Sequence, residues 1–300
     1  MNDEQKLPHK AVGQSLESKS SEDTLAYWTE ERIKNAIPLK PPKQTIPKDF
    51  KLEELTGDNQ PLGEPKVVHP GIPQNLDQTG TVVPNPGSWP YACIGKLLFT
   101  QNGTDYVGTA FSVSGSKSVF MTAGHCVYDQ ASGKWSENTV LSLGWSSSSQ
   151  GQKFTAVNLV TCYGWIRNEG YQYDIGAGIV SGDMFTNRGN LGILFNQQAN
   201  TGPWTAVGYP ADPNPPYGGN TMYQSVGSYI SPIDPGTIGM NNNDMGGGSS
   251  GGPWIVNSDW GYVNGLQSYD YDNPDTDEYS PYFGEAAYNI WYCAVTGGTC

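Results

Sequence analysis

Two short motifs in the sequence carry side chains that could form and break an acyl bond. Residues 121–126 read Met-Thr-Ala-Gly-His-Cys, and residues 248–253 read Gly-Ser-Ser-Gly-Gly-Pro. A serine hydroxyl is a weak nucleophile until a neighbouring imidazole accepts its proton. Glycines beside the serine let a substrate carbonyl come within about 3 Å of the hydroxyl and of backbone N–H groups. The two motifs together predict hydrolysis through a serine nucleophile and a histidine base.

The order of these groups along the chain distinguishes two classes of hydrolase. Residues 248–252 also satisfy the Gly-x-Ser-x-Gly pattern of the α/β-hydrolases, in which the histidine follows the serine. Here all three histidines precede the serine. If the catalytic groups follow the order histidine, acid, serine along the chain, the acid must lie between the two motifs. Asp174 fits best because it opens the apolar run 175–180, which is predicted to be a buried strand, and Asp183 is the reserve candidate.

Both motifs resemble those of secreted trypsin-like serine proteases with the chymotrypsin fold, in the bacterial and fungal branch that includes the glutamyl endopeptidases. The resemblance covers residues 82–300. It implies Ser250 as nucleophile, His125 as general base and then acid, and Asp174 as the group that orients the imidazole. The register of the glycines and proline that follow favours Ser250 over its neighbour Ser249. Backbone N–H groups of Gly248 and Ser250 would form the oxyanion hole.

The same alignment assigns a specificity pocket. Asp244 lies six residues before the nucleophile, the position that forms the base of the pocket in trypsin-like members. An acid there selects Arg or Lys at P1, the substrate residue before the cleaved bond. Ser268 falls on the substrate-binding strand. Gln267 stands where glutamyl endopeptidases carry a histidine that helps to bind the substrate carboxylate. Glutamate specificity stays open as the alternative, as does a surface-loop role for Asp244.

The elements that must position these residues are mostly strands. Short apolar or alternating runs, interrupted by Gly, Asn, Pro and Ser, follow one another after residue 82 and predict an all-β fold. The resemblance implies two antiparallel six-stranded β-barrels, over about 82–185 and 186–285. A helix is predicted over about 284–295 because its small and apolar residues cover one face. Substrate would bind between the barrels.

A change in composition near residue 81 predicts a domain boundary. Ten of the 16 basic residues fall within the first 80 positions, together with a proline-rich stretch that cannot build a continuous core. A capping-box pattern at residues 20–23 predicts one helix near 21–37. This segment, 1–81, resembles the prosegment of secreted proteases, and the remainder, 82–300, is the predicted protease domain. A tail without a role is the alternative.

The net charge and the motifs of the sequence limit the classes of substrate, cofactor and partner that are expected. The net charge of −13 disfavours nucleic acid and favours neutral or basic polypeptide substrates. No metal or nucleotide motif is present, so no cofactor is expected; a calcium site among acids 270–278 is a weaker alternative. No apolar run could span a bilayer, and we expect a monomer that is secreted after removal of a signal peptide absent from this chain. A catalytically silent binding module and an esterase are the competing functions.

Five cysteines are consistent with export. Cys293 and Cys300 are near enough in sequence to close a small disulfide loop. Cys126 lacks the partner that animal members of the family provide, because Val107 occupies that position. If Cys126 is bridged at all, Cys162 or Cys93 must substitute, which leaves one thiol over.

Overall fold

Strands are the predominant regular elements of the structure. The computed structural model describes residues 7–16, 19–40, 43–44, 64–68, 83, 85–211, 217–257, 259–271 and 277–300. The strands are β1 Ala11–Ser15, β2 Ile37–Pro38, β3 Lys43–Gln44, β4 Lys66–Val68, β5 Ile94–Gln101, β6 Thr104–Val113, β7 Val119–Thr122, β8 Tyr128–Asp129, β9 Lys134–Trp135, β10 Glu137–Leu143, β11 Gln152–Cys162, β12 Gly176–Val180, β13 Gly192–Phe195, β14 Trp204–Gly208, β15 Tyr223–Gly227, β16 Tyr229–Ile230, β17 Thr237–Met240, β18 Pro253–Val256, β19 Tyr262–Leu266, β20 Asp270–Tyr271 and β21 Glu278–Pro281. The α-helices are α1 Ser21–Tyr27, α2 Glu30–Asn35, α3 Tyr163–Ile166 and α4 Glu285–Thr296.

The first half of the protease region is a closed antiparallel barrel of six strands. Strands β5, β6, β7, β12, β11 and β10 pair in that order, and β10 pairs back to β5. Each of these strands therefore has two neighbours within the barrel. Its strands carry fully buried apolar side chains, among them Leu97, Phe99, Phe111, Phe120 and Leu141. This packed barrel is a rigid support for the turns that leave its strands.

A short pairing of β20 with β3 and two larger sheets make up the second half in the described residues. One of the larger sheets has the order β15-β14-β18-β19-β13-β4, and the other has the order β16-β17-β21. Trp204 on β14 and Trp254 on β18 are fully buried with ring centroids 5.4 Å apart, and Trp204 donates to Asn264 Oδ1 over 2.7 Å. The predicted all-β, chymotrypsin-like double-barrel class is confirmed. The second barrel is divided between two sheets rather than formed by one continuous ring.

The predicted C-terminal helix is confirmed as α4. Its buried side chains include Ala287, Ile290 and Ala294 on one face, and it ends at Gly297, whose φ of +120° suits glycine. The predicted disulfide joins Cys293 of this helix to Cys300, with their Cα atoms 5.8 Å apart. Among the described residues, no helix is long and apolar enough to cross a membrane.

The N-terminal segment differs from the single helix predicted near 21–37. Two helices form instead, because Ser20 caps α1 by accepting from Asp23 N and Thr29 caps α2 by accepting from Arg32 N. The segment also contributes strands to the protease region: β1 pairs with β11, β2 with β6, β3 with β20, and β4 with β13. The predicted boundary at 81 and 82 lies outside the described residues.

The remaining cysteines are all buried and unpaired, which corrects the expectation that Cys126 pairs with Cys162 or Cys93. The Cys126 Sγ contacts the backbone carbonyl of Ser250 at 3.8 Å, whereas Cys162 Sγ faces the Tyr173 carbonyl at 3.7 Å. The two thiols are held by different neighbours and are not joined. Burial raises the pKa of Cys162 to about 12, which keeps that thiol protonated.

Candidate active site

His125 and Asp174 meet on the first barrel. His125 lies in a turn of 3-10 helix that follows β7, and Asp174 ends the turn Tyr171–Tyr173 that precedes β12. Because β7 and β12 are paired neighbours, the turns at these ends of the two strands lie side by side. The Nδ1 atom of His125 is 2.7 Å from Asp174 Oδ2, and the backbone N–H of His125 donates to Asp174 Oδ1 over 2.7 Å. The carboxylate therefore fixes both the ring and its backbone.

Asp174 is completely buried and receives a third hydrogen bond. The hydroxyl of Ser268, after β19 in the second half, donates to Asp174 Oδ2 over 2.6 Å. Space for the carboxylate depends on Gly124, since a Cβ there would lie 3.0 Å from Asp174 Oδ1. Three hydrogen-bond contacts thus satisfy the carboxylate oxygens where water cannot reach them. They also tie the two halves of the protein together at this point.

The electrostatics of His125 follow from that carboxylate. Burial disfavours a charged imidazole, but the attraction of the adjacent Asp174 outweighs it, and the pKa of His125 is raised well above its ordinary value. The Nε2 atom is buried and has no hydrogen-bond partner among the described residues. One ring nitrogen is thus held by an acid, and the other is free to accept a proton.

Hydrogen bonds to the first barrel hold the serine-containing turn in place. Thr109 on β6 donates from its N–H to the Ser250 carbonyl over 2.9 Å and from its hydroxyl to the Gly248 carbonyl over 2.9 Å. Gly251 has φ of +85°, and a Cβ at that position would lie 2.0 Å from Thr122 Oγ1 and 2.4 Å from the Thr109 carbonyl. The glycine is required because the turn packs directly against two strands of the barrel.

The two candidate serines have different surroundings. Both side chains are fully buried, and the Ser249 hydroxyl donates to the carbonyls of Met245 and Gly246 over 2.7 and 2.6 Å. Ser250 Oγ instead donates to the backbone carbonyl of Leu39 over 3.4 Å. Leu39 lies outside the turn, in the N-terminal segment. Ser249 is thus a structural group of the turn, whereas Ser250 contacts a peptide bond from another part of the chain.

The same carbonyl identifies the backbone donor beside Ser250. The N–H of Gly248 donates to the Leu39 carbonyl over 3.0 Å. Gly248 has φ of +93°, and a Cβ there would lie 2.7 Å from the Tyr209 carbonyl. Within the described residues, the Ser250 N–H donates to no backbone carbonyl. A carbonyl oxygen is therefore already bound where the sequence predicted an oxyanion hole.

The residues assigned to the specificity pocket lie in three different environments. Asp244 is exposed and accepts from the Tyr217 hydroxyl over 2.6 Å. The Gln267 side chain is buried, where its Oε1 accepts from Asn243 Nδ2 and Trp254 Nε1 over 2.7 and 2.5 Å. Ser268 contacts Asp174 as described above. The structure thus brings Ser268 to the His125 and Asp174 pair, while Gln267 lies behind the serine turn.

Sequence reasoning missed two contributors to the site. The Ser268 hydroxyl was assigned to substrate binding, and its contact with Asp174 had no local signal because 94 residues separate the two. Leu39 was missed because it lies in a proline-rich stretch that resembles a linker. The reserve acid Asp183 is exposed and accepts from the N–H groups of Phe185 and Thr186 in its own turn. In the described part of the chain, no cluster of three His, Cys, Asp or Glu suits a metal, and Asp272 and Asp275 lie outside it.

Comparisons with solved structures agree with this architecture. No protein-family model and no curated protein matches the sequence. The thermostable serine protease AL20 from an extremophilic microorganism is 29% identical, with a TM-score of 0.61 over 69% of this chain and 98% of its own. Protease Anisep from Arthrobacter nicotinovorans is also 29% identical, with a TM-score of 0.61 over 69% and 96%. A Glu endopeptidase, 21% identical with a TM-score of 0.59 over 72% and 96%, supports the fold alone. With the double barrel, these similarities identify the chain as a trypsin-like serine protease of the chymotrypsin fold.

Proposed function

We propose that this protein is a serine endopeptidase in which Ser250, His125 and Asp174 form the catalytic triad. The observation that carries the proposal is the position of the Leu39 carbonyl, which is bound by the Gly248 N–H and the Ser250 hydroxyl together. This contact supports a site in which the Gly248 N–H binds a peptide carbonyl next to the Ser250 hydroxyl, as acyl transfer needs once that hydroxyl has turned toward His125. The paired His125 and Asp174 supply the base that such a serine needs.

The proposed reaction has two halves. The Ser250 oxygen attacks the substrate carbonyl carbon while its proton passes to His125 Nε2. The negative charge that develops on the carbonyl oxygen is stabilised by the N–H groups of Gly248 and Ser250. His125 then gives the proton to the departing amine nitrogen, which leaves an acyl-enzyme ester. Water, deprotonated by His125, attacks that ester and releases the acid and the free Ser250.

Asp174 acts in this scheme through the imidazole. Its carboxylate accepts the Nδ1 proton, which leaves Nε2 as the acceptor and stabilises the imidazolium that forms during the reaction. Ser268 is proposed as a positioning residue because its hydroxyl fixes the same carboxylate oxygen. Ser250 must first release the Leu39 carbonyl before its hydroxyl can turn toward His125.

We infer further that the enzyme prefers Arg or Lys at P1. Acidic groups support this preference: Asp244 is on the loop before the nucleophile, and Asp270 and Glu278 are buried on β20 and β21. We propose that these acids line the P1 pocket, where their negative charge would attract cationic side chains and repel glutamate. The Gln267 amide, which is engaged by Asn243 and Trp254, offers no cation for a substrate carboxylate.

We also propose that the protein is exported as a monomeric proenzyme and that residues 1–81 are removed during maturation. The contrast in composition between the two segments supports this division. N-terminal sequencing of the active species in culture medium tests it directly. An N-terminus near residue 82 is expected, and a fully active species that begins near residue 1 would contradict the proposal.

The decisive experiment compares the two adjacent serines. After removal of residues 1–81, a serine-directed phosphonate should label wild-type protein and Ser249→Ala, but not Ser250→Ala. Peptide hydrolysis should fall by several orders of magnitude in Ser250→Ala and remain measurable in Ser249→Ala. Equal loss of peptide hydrolysis in both variants would refute the choice of Ser250 over Ser249 as the nucleophile. Absence of labelling in every form would instead favour a silent binding module, and turnover of simple esters without peptides would favour an esterase.

A further inference from the structure

Residues 37–40 and 43–44 of the N-terminal segment lie across the catalytic groups. Strand β2 pairs with β6, with Ile37 opposite Tyr106 and Pro38 opposite Val107. The Leu39 N–H donates to the Val107 carbonyl over 3.0 Å, and the Leu39 carbonyl is bound at Gly248 and Ser250. Strand β3 then pairs with β20 in the second half. We call these residues the strap.

The strap is anchored to the first barrel just before it reaches the cleft. Arg32 of α2 forms a 2.8 Å ion pair with Asp105, and Tyr27 of α1 donates to the same carboxylate over 2.7 Å. Trp28 is buried between the helices and donates to the Asn138 carbonyl over 2.6 Å. Two helices thus hold the segment immediately upstream of β2 against the first barrel. The strap is therefore tethered next to the site that it covers.

The direction of the strap is opposite to that required of a substrate. Because His125 must protonate the departing amine, we assign the departing residues to the side of His125 and β6. The substrate residues before the cleaved bond are then assigned to the other side, along Ser268, which the resemblance puts on the substrate-binding strand, and its continuation into β20. The strap has the reverse arrangement, because its earlier residues pair with β6 and its later residues pair with β20. Both pairings are parallel, in agreement with one reversed direction throughout.

This reversal explains how a peptide can fill the site without being cut there. In the strap, the nitrogen that follows the Leu39 carbonyl belongs to Lys40, and the chain from Lys40 continues toward β20 rather than toward β6. The amine that would have to leave is then directed away from the histidine that must protonate it. Attack by Ser250 would give a tetrahedral adduct that reverts, since the Ser250 oxygen is the better-placed leaving group.

We propose that the strap is a built-in inhibitor of the protease, bound to the cleft in the reverse direction and using the Leu39 carbonyl as the ligand of the oxyanion hole. This inference rests on the proposed function. A tethered peptide has an effective concentration of about 1 mM. If the free peptide binds with a dissociation constant of about 10–100 µM, the tethered form suppresses access to Ser250 by about 10–100-fold.

The test measures how fast a serine-directed phosphonate labels Ser250 in the full chain. Leu39→Pro removes the N–H that binds the Val107 carbonyl, and labelling should become about 10–100-fold faster than in wild type. Leu39→Ala keeps both main-chain hydrogen bonds and should change the rate much less. Arg32→Ala loosens the anchor without touching the cleft and should give an intermediate rate. Thermal unfolding of each variant verifies that it is folded.

A synthetic peptide of residues 36–45, added to the full-length Leu39→Pro protein, should slow labelling again, with half-maximal effect at about 10–100 µM. A scrambled peptide is the control. Mass spectrometry should find the peptide uncut between Leu39 and Lys40. Cleavage at that bond would show a substrate-like direction and overturn the inference.

Equal labelling rates in wild type, Arg32→Ala and Leu39→Pro would overturn the inference while leaving the protease assignment intact. No labelling in any form would refute the assignment itself, and the inhibitory role with it.

Discussion

Replacing Asp174 with asparagine isolates the role of the buried carboxylate that holds His125. The side chain keeps its shape but loses the charge that accepts hydrogen bonds from His125 N, His125 Nδ1 and Ser268 Oγ. The bond to Nδ1 is charge-assisted, and such bonds contribute about 1.5–3 kcal/mol. An asparagine NH₂ group can also donate to Nδ1, which places the remaining ring proton on Nε2, the atom that must act as the base. We expect kcat/KM to fall about 10³–10⁴-fold, or about 4–5.5 kcal/mol.

The substitution should also shift the pH dependence of kcat/KM in a direction that follows from the structure. The catalytic base must be unprotonated, so wild-type activity rises as pH increases through the raised pKa of His125. Without the carboxylate, the main influence that raises this pKa is lost, and burial, which lowers it, is no longer outweighed by Asp174. The acid limb of the kcat/KM profile of Asp174→Asn should therefore move to lower pH. The assay is hydrolysis of a chromogenic peptide by matured enzyme from pH 4 to 10, a range of about six units around neutrality.

Asp183→Asn is the matched control, because Asp183 is an exposed acid that binds only groups of its own turn. It should leave both rate and pH profile unchanged. A loss of less than about tenfold in Asp174→Asn, or an acid limb that stays in place or moves upward, would refute the assignment of Asp174.

Three further predictions concern stability and specificity. Gly251→Ala places a methyl group against Thr122 and the Thr109 carbonyl at a φ of +85°. We expect the free energy of unfolding to fall by at least about 2 kcal/mol, with a lower melting temperature by calorimetry. An unchanged melting temperature would contradict the tight packing of the turn. Cys300→Ala opens the disulfide loop, whose cysteines have a sequence separation of 7. We expect the free energy of unfolding in denaturant titrations to fall by about 2–3 kcal/mol while activity is retained. Asp244→Ser should reduce cleavage after Arg or Lys in a P1 library scan, and an unchanged preference would remove Asp244 from the specificity pocket.

The sequence was sufficient to predict the parts of the molecule that depend on local pattern. Alternating apolar runs and the spaced apolar residues of α4 predicted the all-β class and the terminal helix, and the short separation of Cys293 from Cys300 predicted the disulfide. The contact between Ser268 and Asp174 was beyond such reasoning, because it depends on how two sheets pack. The pairing of Cys126, which the sequence left open between Cys162 and Cys93, does not form, and Cys126 and Cys162 each pack against a different backbone carbonyl.

The N-terminal segment was the hardest part to predict. Its prolines suggested a linker, yet short extended stretches are sufficient to add strands where a neighbouring edge offers unpaired N–H and C=O groups. The helix predicted near 21–37 was divided by Thr29, a residue that caps a new helix more readily than it continues an old one. Sequence patterns predicted one helix in this segment, where the structure has two, and predicted none of its four strands.

The distribution of these added strands has a consequence for maturation. The segment pairs with the first barrel through β1 and β2 and with the second half through β3 and β4. Hydrolysis of one bond near residue 81 would break the chain but would leave those four pairings in place, so the cut protein would be a two-chain complex. Its activity would then depend on protein concentration: dilution would release the segment by mass action, and a concentrated sample would stay silent. Dilution of the cut protein after export would then be sufficient to release the N-terminal segment and complete activation.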